Sequence, residues 1–211
     1  MSEQANPELR RSVKKLVLAS NNPGKLREIR ALLAPLAIEV VAQADLRIAE
    51  AEEPHETFLE NAIAKARHAS RVTGFPALAD DSGLCVAALG GAPGVHSAYY
   101  AGGGDREARD ARNNEKLLAA LAAHDDRAAH YSCVAVLMRR ADDAEPLIAE
   151  GRWHGSIARE PKGAGGFGYD PLFLLSDLNR TAAELEPEEK NRLSHRGKAL
   201  RRLIARLREE A

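Results

Sequence analysis

Leu16, Val17, Leu18 and Ala19 form an apolar run that stops at Ser20, Asn21, Asn22, Pro23 and Gly24. Leu26, Ile29, Leu32 and Leu33 then recur at helical spacing. A strand that passes through a short polar turn straight into an amphipathic helix commits the chain to a sheet with a helix laid on its face. Asn22 is placed to cap that helix and Pro23 to open it.

The same alternation continues downstream. Val40 and Val41 predict a second short strand, and Glu50, Glu52, Glu53, Pro54 and Glu56 an acidic loop. Thr57 with Glu60 fits a capping box, and Phe58, Ala62, Ile63, Ala66 and Ala69 carry an amphipathic helix to about Arg71. Residues 76–79 read as a short strand ending in the turn-forming sequence Asp80, Asp81, Ser82, Gly83. Gly90, Gly91, Pro93 and Gly94 mark a tight loop, and residues 107–123 an Ala- and Leu-rich helix. Residues 131–139 and 147–157 flank Asp142 and Asp143 as an antiparallel hairpin. Gly163, Gly165, Gly166 and Gly168 form a loop before a strand at 171–175, and residues 188–210 are helical with a break near 194–197. The pattern predicts an α/β fold with a mixed β-sheet flanked by helices, in two lobes with a central substrate cleft. Residues 1–15 read as a flexible N-terminal leader and residues 16–211 as a single α/β domain.

Composition limits the partners. Thirty Lys and Arg stand against 31 Asp and Glu, a formal net charge of -1. No bulk field draws the chain to nucleic acid or to an anionic membrane surface, so an anion must be held by a local array of donors. Apolar stretches such as residues 133–138 fall far short of the roughly 20 residues of a membrane helix. Cys85 and Cys133 lie in apolar runs, which reads as buried free thiols and a reduced, cytoplasmic setting.

Four segments carry chemistry. The turn at Ser20, Asn21, Asn22, Pro23, Gly24 and Lys25 presents free amides and a helix dipole suited to phosphate, although an ordinary capped helix start explains the same residues. Asp80 and Asp81 at a strand end suit a hard cation such as Mg²⁺, with Glu52 or Glu53 as a further oxygen ligand; a solvated turn is the plain alternative. Phe167, flanked by glycines, offers an open ring, and Asp170 an acceptor for a base N–H; a hairpin loop with an aromatic anchor accounts for them equally. Lys190, Ser194, His195 and Arg196 offer donors to phosphate or to a keto oxygen, or form the basic surface of a helix. His68, His124, His130 and His154 have no ligand spacing and receive no role.

Together these segments resemble one family, the Ham1/RdgB-type inosine triphosphate pyrophosphatases. The resemblance rests on LVLASNNPGK at 16–25, ETFLENA at 56–62, ADDSGL at 79–84, GGAPGV at 90–95, GGFGYDP at 165–171 and SHRGKA at 194–199. It implies an elongated α/β fold, a homodimer, and Mg²⁺-dependent hydrolysis of ITP, dITP or XTP to the nucleoside monophosphate and pyrophosphate. It further implies that Ser20, Asn21, Asn22, Pro23, Gly24 and Lys25, joined by Lys65, Ser82 and Lys190, hold phosphates. Asp81 is then the catalytic carboxylate, with Glu53, Asp80 and Asp81 placing the metal. Phe167, Gly168, Tyr169, Asp170, His195 and Arg196 are the purine pocket. One position departs from the pattern: Tyr99 precedes Tyr100 where the bacterial sequences usually carry an Arg, so if that Arg touches the phosphates some leaving-group stabilisation is either missing or supplied elsewhere, by Arg106 or Arg109. A phosphatase releasing orthophosphate stepwise and a nucleotide sensor without turnover are the rival readings.

Overall fold

A computed structural model describes residues 15–36 and 38–209. The expected leader therefore lies outside the described residues except for Lys15, which opens the first strand.

The elements run β1 (Lys15–Leu18), α1 (Pro23–Leu33), β2 (Glu39–Ala42), α2 (Phe58–Thr73), β3 (Ala77–Val86), α3 (Arg106–Ala120), β4 (Ala128–Met138), β5 (Leu147–Ile157), β6 (Phe173–Leu175), β7 (Arg180–Thr181), α4 (Pro187–Leu193) and α5 (His195–Glu209). They build one mixed sheet in the order β2-β1-β3-β4-β5-β6-β7. β1 is parallel to both β2 and β3, and every later pairing is antiparallel.

Strand alternation sorts the side chains of this sheet to two faces. Leu16, Leu18, Leu78, Cys133 and Ala135 meet Ile29 and Leu33 of α1 and Leu200 and Leu203 of α5 on one face. Val17, Ala19, Ala77, Ala79, Val134 and Val136 meet Ala62, Ala66 and Ala69 of α2 on the other. A separate cluster of Leu84, Leu117, Leu121, Tyr131, Trp153, Tyr169 and Phe173 packs the far end of the sheet against α3.

The element next to the cleft differs from the sequence reading. β3 does not stop at Ala79; it continues through Asp80, Asp81, Ser82 and Gly83 to Val86. β1 pairs with β3 only at Val17↔Ala77 and Leu18↔Leu78, whereas β4 pairs with it from Ala77↔Met138 through Val86↔Ala129. The ladder to β4 satisfies the backbone that a turn would otherwise satisfy locally, and tertiary pairing overrides turn propensity. Where β1 ends, β3 has lost its neighbour on that side, and a cleft of about 660 Å³ opens there.

The predicted break in the C-terminal helix falls at Ser194. Its backbone N–H closes α4 onto the Lys190 carbonyl, and its hydroxyl accepts from the Gly197 N–H at 3.1 Å. Gly197 permits the crossing, since a Cβ there would sit 1.8 Å from the Asn191 carbonyl. The break turns His195 and Arg196 inward, and both are buried. Cys133 is buried and Cys85 half-buried, both free thiols. Among the described residues no helix is long and apolar enough to cross a membrane.

Candidate active site

The floor of the cleft is the turn entering α1. Asn22 caps the helix by accepting the Lys25 N–H at 3.1 Å, and the Ser20 hydroxyl accepts the Asn22 N–H at 3.2 Å. Both bonds fix the turn so that the N-terminal end of an eleven-residue helix faces the cleft. Lys25 reaches back to β3, its Nζ 3.0 Å from Asp80 Oδ2.

Because neighbouring strand residues point to opposite faces, Asp80 and Asp81 part company. Asp80 turns toward α1 and α5. Its Oδ2 accepts from Arg196 Nε at 3.2 Å and Nη2 at 3.1 Å, besides Lys25. Ser82, two residues on and on the same face, accepts from Arg196 Nη2 at 2.8 Å. Arg196 Nη1 pairs with Glu28 of α1, and Glu28 also accepts from Lys190 at 2.8 Å. Burial alone would raise the Asp80 carboxyl, but Lys25, Arg196 and Lys65 outweigh it and hold the group well below the usual carboxylate range.

Asp80 and Asp81 thus face opposite sides of the sheet, with Asp80 the counter-ion to Arg196 and Lys25. Arg196 lines the cleft but is 1% exposed, its guanidinium bound to Asp80, Glu28 and Ser82.

Asp81 turns toward α2. Lys65 of that helix donates to Asp81 Oδ1 at 2.7 Å and to Glu53 Oε2 at 3.1 Å, so two carboxylates converge on one ammonium. Asn61, buried on α2, holds the acidic loop in reach by accepting the His55 N–H and donating to the His55 carbonyl, each at 3.1 Å. The predicted capping box at Thr57 is present in part: its hydroxyl accepts the Glu60 N–H and donates to the Glu60 carboxylate. Asp81 Oδ2 is buried without a hydrogen-bond partner. Its carboxyl is raised above the ordinary value because burial outweighs the cations Lys65 and Lys25. Among the described residues no cluster of three or more His, Cys, Asp or Glu side chains is arranged to hold a metal.

The glycine loop forms the opposite wall. Phe167 is half-buried and lines the cleft. Its ring packs over Gly24, where a Cβ would fall 2.5 Å from the ring, and Lys190 Nζ sits 4.6 Å from its centroid. Asp170 is likewise occupied, its Oδ2 accepting from the Phe167 N–H at 2.8 Å and from Lys190 at 2.5 Å. Lys190 is thereby held charged by Asp170 and Glu28 against a burial that alone would neutralise it. The Tyr169 hydroxyl donates to the Ser97 carbonyl at 2.8 Å, and the Gly168 N–H to Asp110 at 3.1 Å. Asp170, Tyr169 and Lys190 thus hold the wall together.

His195 keeps a free edge. Its ring stacks on Tyr131 at 4.5 Å and 9°, it lines the cleft, and Nδ1 has no hydrogen-bond partner. Burial first, then Arg196 and Lys190, depress it well below the ordinary histidine value, so the imidazole is neutral.

Sequence reasoning did not single out Glu28, Asn61 or Asp110. Glu28 could have been found: it lies three residues after Lys25, on the same side of α1. Asn61 lies in the ETFLENA segment at 56–62 but received no role, and Asp110 gave no signal. With their partners, the cations of the cleft are Lys25, Lys65, Arg106, Arg109, Lys190 and Arg196, six in all. The carboxylates are Glu28, Glu50, Glu53, Asp80, Asp81, Asp110 and Asp170, seven in all. The cleft has abundant donors yet no surplus of positive charge.

The chain resembles known proteins along nearly its whole length. A model described as the Ham1 family matches residues 16–206. The chain is 61% identical over 198 residues to a dITP/XTP pyrophosphatase of Ralstonia nicotianae, covering 93% of this chain and 98% of that one. It is 62% identical over 195 residues to one of Nitrosomonas europaea, covering 92% and 95%. A solved HAM1 protein from Coxiella burnetii superposes with a TM-score of 0.84 at 52% identity, covering 92% of this chain and 98% of that one. The matched span takes in every cleft residue named above, and the chain belongs to the Ham1 family.

Proposed function

We propose that this chain hydrolyses non-canonical purine nucleoside triphosphates, of the ITP, dITP and XTP class, to the monophosphate and pyrophosphate. The observation that carries the reading is the single cleft in which a helix-start turn faces a buried carboxylate oxygen without a partner, Asp81 Oδ2. The activity in the names of the relatives supports it.

In this reading the turn from Ser20 to Lys25 takes phosphate oxygens with its amides and the helix dipole. Asp81 aims a water at the α-phosphorus and accepts its proton as the water oxygen bonds to phosphorus. The bond from that phosphorus to the bridging oxygen breaks, and pyrophosphate leaves with the electron pair. Lys65 holds Asp81 in register and keeps it from turning to the sheet. His195, neutral and stacked on Tyr131, presents a ring nitrogen to the base; as donor it matches the 6-keto oxygen of hypoxanthine or xanthine and leaves the 6-amino group of adenine unpaired. That contrast is worth roughly 1–3 kcal/mol.

A divalent cation fits the donor set. Asp81 has an unpartnered oxygen and Glu53 shares its ammonium, so these two would hold Mg²⁺, and the cleft's balance of charge leaves a triphosphate short of neutralisation. When bound, the ion would offset the charge of the departing pyrophosphate. We further place the protein as a single α/β domain over residues 16–211 that acts as a cytoplasmic homodimer. The free cysteines suit a reducing compartment, and size-exclusion chromatography with light scattering tests the dimer.

A panel of nucleoside triphosphates with Mg²⁺, scored by product, tests the function. IMP with pyrophosphate from ITP supports it. IDP with orthophosphate establishes a stepwise phosphatase instead, and tight binding without turnover a sensor.

A further inference from the structure

The four cations expected from the motifs all have carboxylate partners: Lys25 meets Asp80, Lys65 meets Asp81 and Glu53, and Lys190 and Arg196 meet Glu28 with Asp170 and Asp80 respectively. An incoming polyphosphate must compete with those carboxylates for every one of them. Arg106 and Arg109 of α3 differ. Both line the cleft, three residues apart on one side of the helix, and both lie over aromatic rings; among the described residues neither makes a close ion pair with a carboxylate, although Arg106 feels the charge of Asp110. The Arg109 guanidinium sits 4.5 Å from the centre of the Tyr99 ring, and its Nε is buried without a hydrogen-bond partner.

The helix that carries them is fixed on both sides. Asn113 accepts the Ala101 N–H at 2.7 Å and donates to the Ser97 and Ala98 carbonyls at 3.2 Å. Asp110 and Asn114 bind the backbone of Gly168 at 3.1 and 3.0 Å. Arg109 therefore hangs from a rigid support, with a flat aromatic surface beneath it and unmet donors.

We propose that Arg109, carried on Tyr99, is a polyphosphate-binding residue of this cleft. Tyr99 occupies the position where the bacterial pattern places an arginine, and the pair delivers a guanidinium to that region from α3 instead. A cation over an aromatic face is held by the ring quadrupole without loss of its charge, so the guanidinium stays free to meet an anion with its full donor set. The proposal rests on the function given above and adds a substrate-contacting residue to it.

The test compares the full-length wild type with Arg109→Gln, Tyr99→Phe and Tyr99→Ala, measuring pyrophosphate release from ITP and inhibition by inorganic pyrophosphate and by IMP. Loss of a charged hydrogen bond to phosphate corresponds to about 10-fold or more. Arg109→Gln is expected to raise KM for ITP and the inhibition constant for pyrophosphate by at least about 10-fold, with the melting temperature and the IMP inhibition constant unchanged. Tyr99→Phe, which keeps the ring, is expected to match wild type, and Tyr99→Ala to fall between. Equal pyrophosphate inhibition in wild type and Arg109→Gln overturns the proposal. If wild type releases no pyrophosphate from any nucleotide, the function falls first, and calorimetric binding of inorganic pyrophosphate to the same proteins then decides the role of Arg109: weaker binding by the variant upholds it and equal binding removes it.

Discussion

Replacing Arg196 by Met removes a guanidinium that is 1% exposed and joins three elements at once. Asp80 on β3 loses two charge-assisted bonds, at 3.2 and 3.1 Å, and keeps Lys25 and the weak Cys133 thiol donor; Glu28 on α1 keeps only Lys190; Ser82 loses its donor. Breaking a buried ion pair from one side costs about 3–5 kcal/mol, chiefly because the other charge stays behind undersolvated. Lys25 and Lys190 temper that, so the expected loss is about 3 kcal/mol. For a chain of this length that lowers the melting temperature by about 6–12 °C. Urea unfolding at pH 7 measures it directly, as a shifted midpoint with unchanged slope. Two controls separate charge from packing. Arg196→Lys keeps the charge without the fork and is expected to lose less, while adding Asp80→Asn to Arg196→Met removes the stranded charge and is expected to restore part of the loss. The acid limb of stability gives an independent sign. Asp80 is depressed in the folded state, so its contribution is complete above the unfolded carboxylate value near pH 4 and is lost as pH falls further. Arg196→Met makes that acid loss shallower. A single variant within about 1 kcal/mol of wild type, or a double variant no better than the single, would falsify the reasoning.

The other predictions concern the reacting side. Asp81→Asn is expected to reduce pyrophosphate release by about 10²–10⁴-fold while nucleotide binding by calorimetry survives; unchanged turnover would remove Asp81 from the chemistry. His195→Ala is expected to narrow the preference for ITP over ATP, read as the ratio of kcat/KM values, and an unaltered ratio would leave the base to other groups. Because His195 is depressed when folded, its neutral form contributes stability that is complete above pH ~6.5 and declines as pH falls through the folded value, with a slope of up to about 1.4 kcal/mol per pH unit. His195→Gln should flatten that segment of the stability profile, and an identical profile would show that the burial does not act. Gly24→Ala gains helix preference by about 0.5–1 kcal/mol yet places a Cβ 2.5 Å from the Phe167 ring. Net loss of stability with a raised KM is expected, and a more stable, equally active variant would mean that Phe167 does not rest there.

Much of this architecture is legible from periodicity and punctuation. Asn22 before Pro23 announces the first helix, the small-residue stripe of Ala62, Ala66 and Ala69 announces a helix pressed on a sheet, and the hairpin of β4 and β5 needs only its flanking runs. What escapes is whatever depends on a partner distant in sequence. Asp80 to Gly83 reads as a turn because the four residues favour one locally; only the ladder to Ser132–Ala135 of β4, distant in sequence, makes them a strand. The motif residues converge on the cleft as the resemblance implies, but motifs do not say which face of a strand a side chain takes or what already neutralises it. Arg196 and Lys190 look like free donors in the sequence and are buried counter-ions in the fold. Glu28, which completes both pairs, has no mark beyond its spacing from Lys25.

The two faces of β3 explain why adjacent carboxylates have different fates. On the α1 and α5 side Asp80 Oδ2 meets Lys25 and Arg196 at 3.0–3.2 Å, and its charge locks helix to strand, while Oδ1 is buried without a partner. On the α2 side Asp81 receives one donor, shared with Glu53, and one of its oxygens is buried with none. A fold selected for stability alone would pair or remove that oxygen, since a buried unsatisfied acceptor costs about 1–3 kcal/mol. The surrounding sheet keeps it in place, so Asp81 faces the cleft with its carboxyl raised by burial, while Asp80 is held well below the usual carboxylate range by Lys25 and Arg196. A protein can tolerate that cost where the unsatisfied group is the one meant to meet a ligand, and a proton from water or a bound cation would each complete the coordination that the fold leaves open.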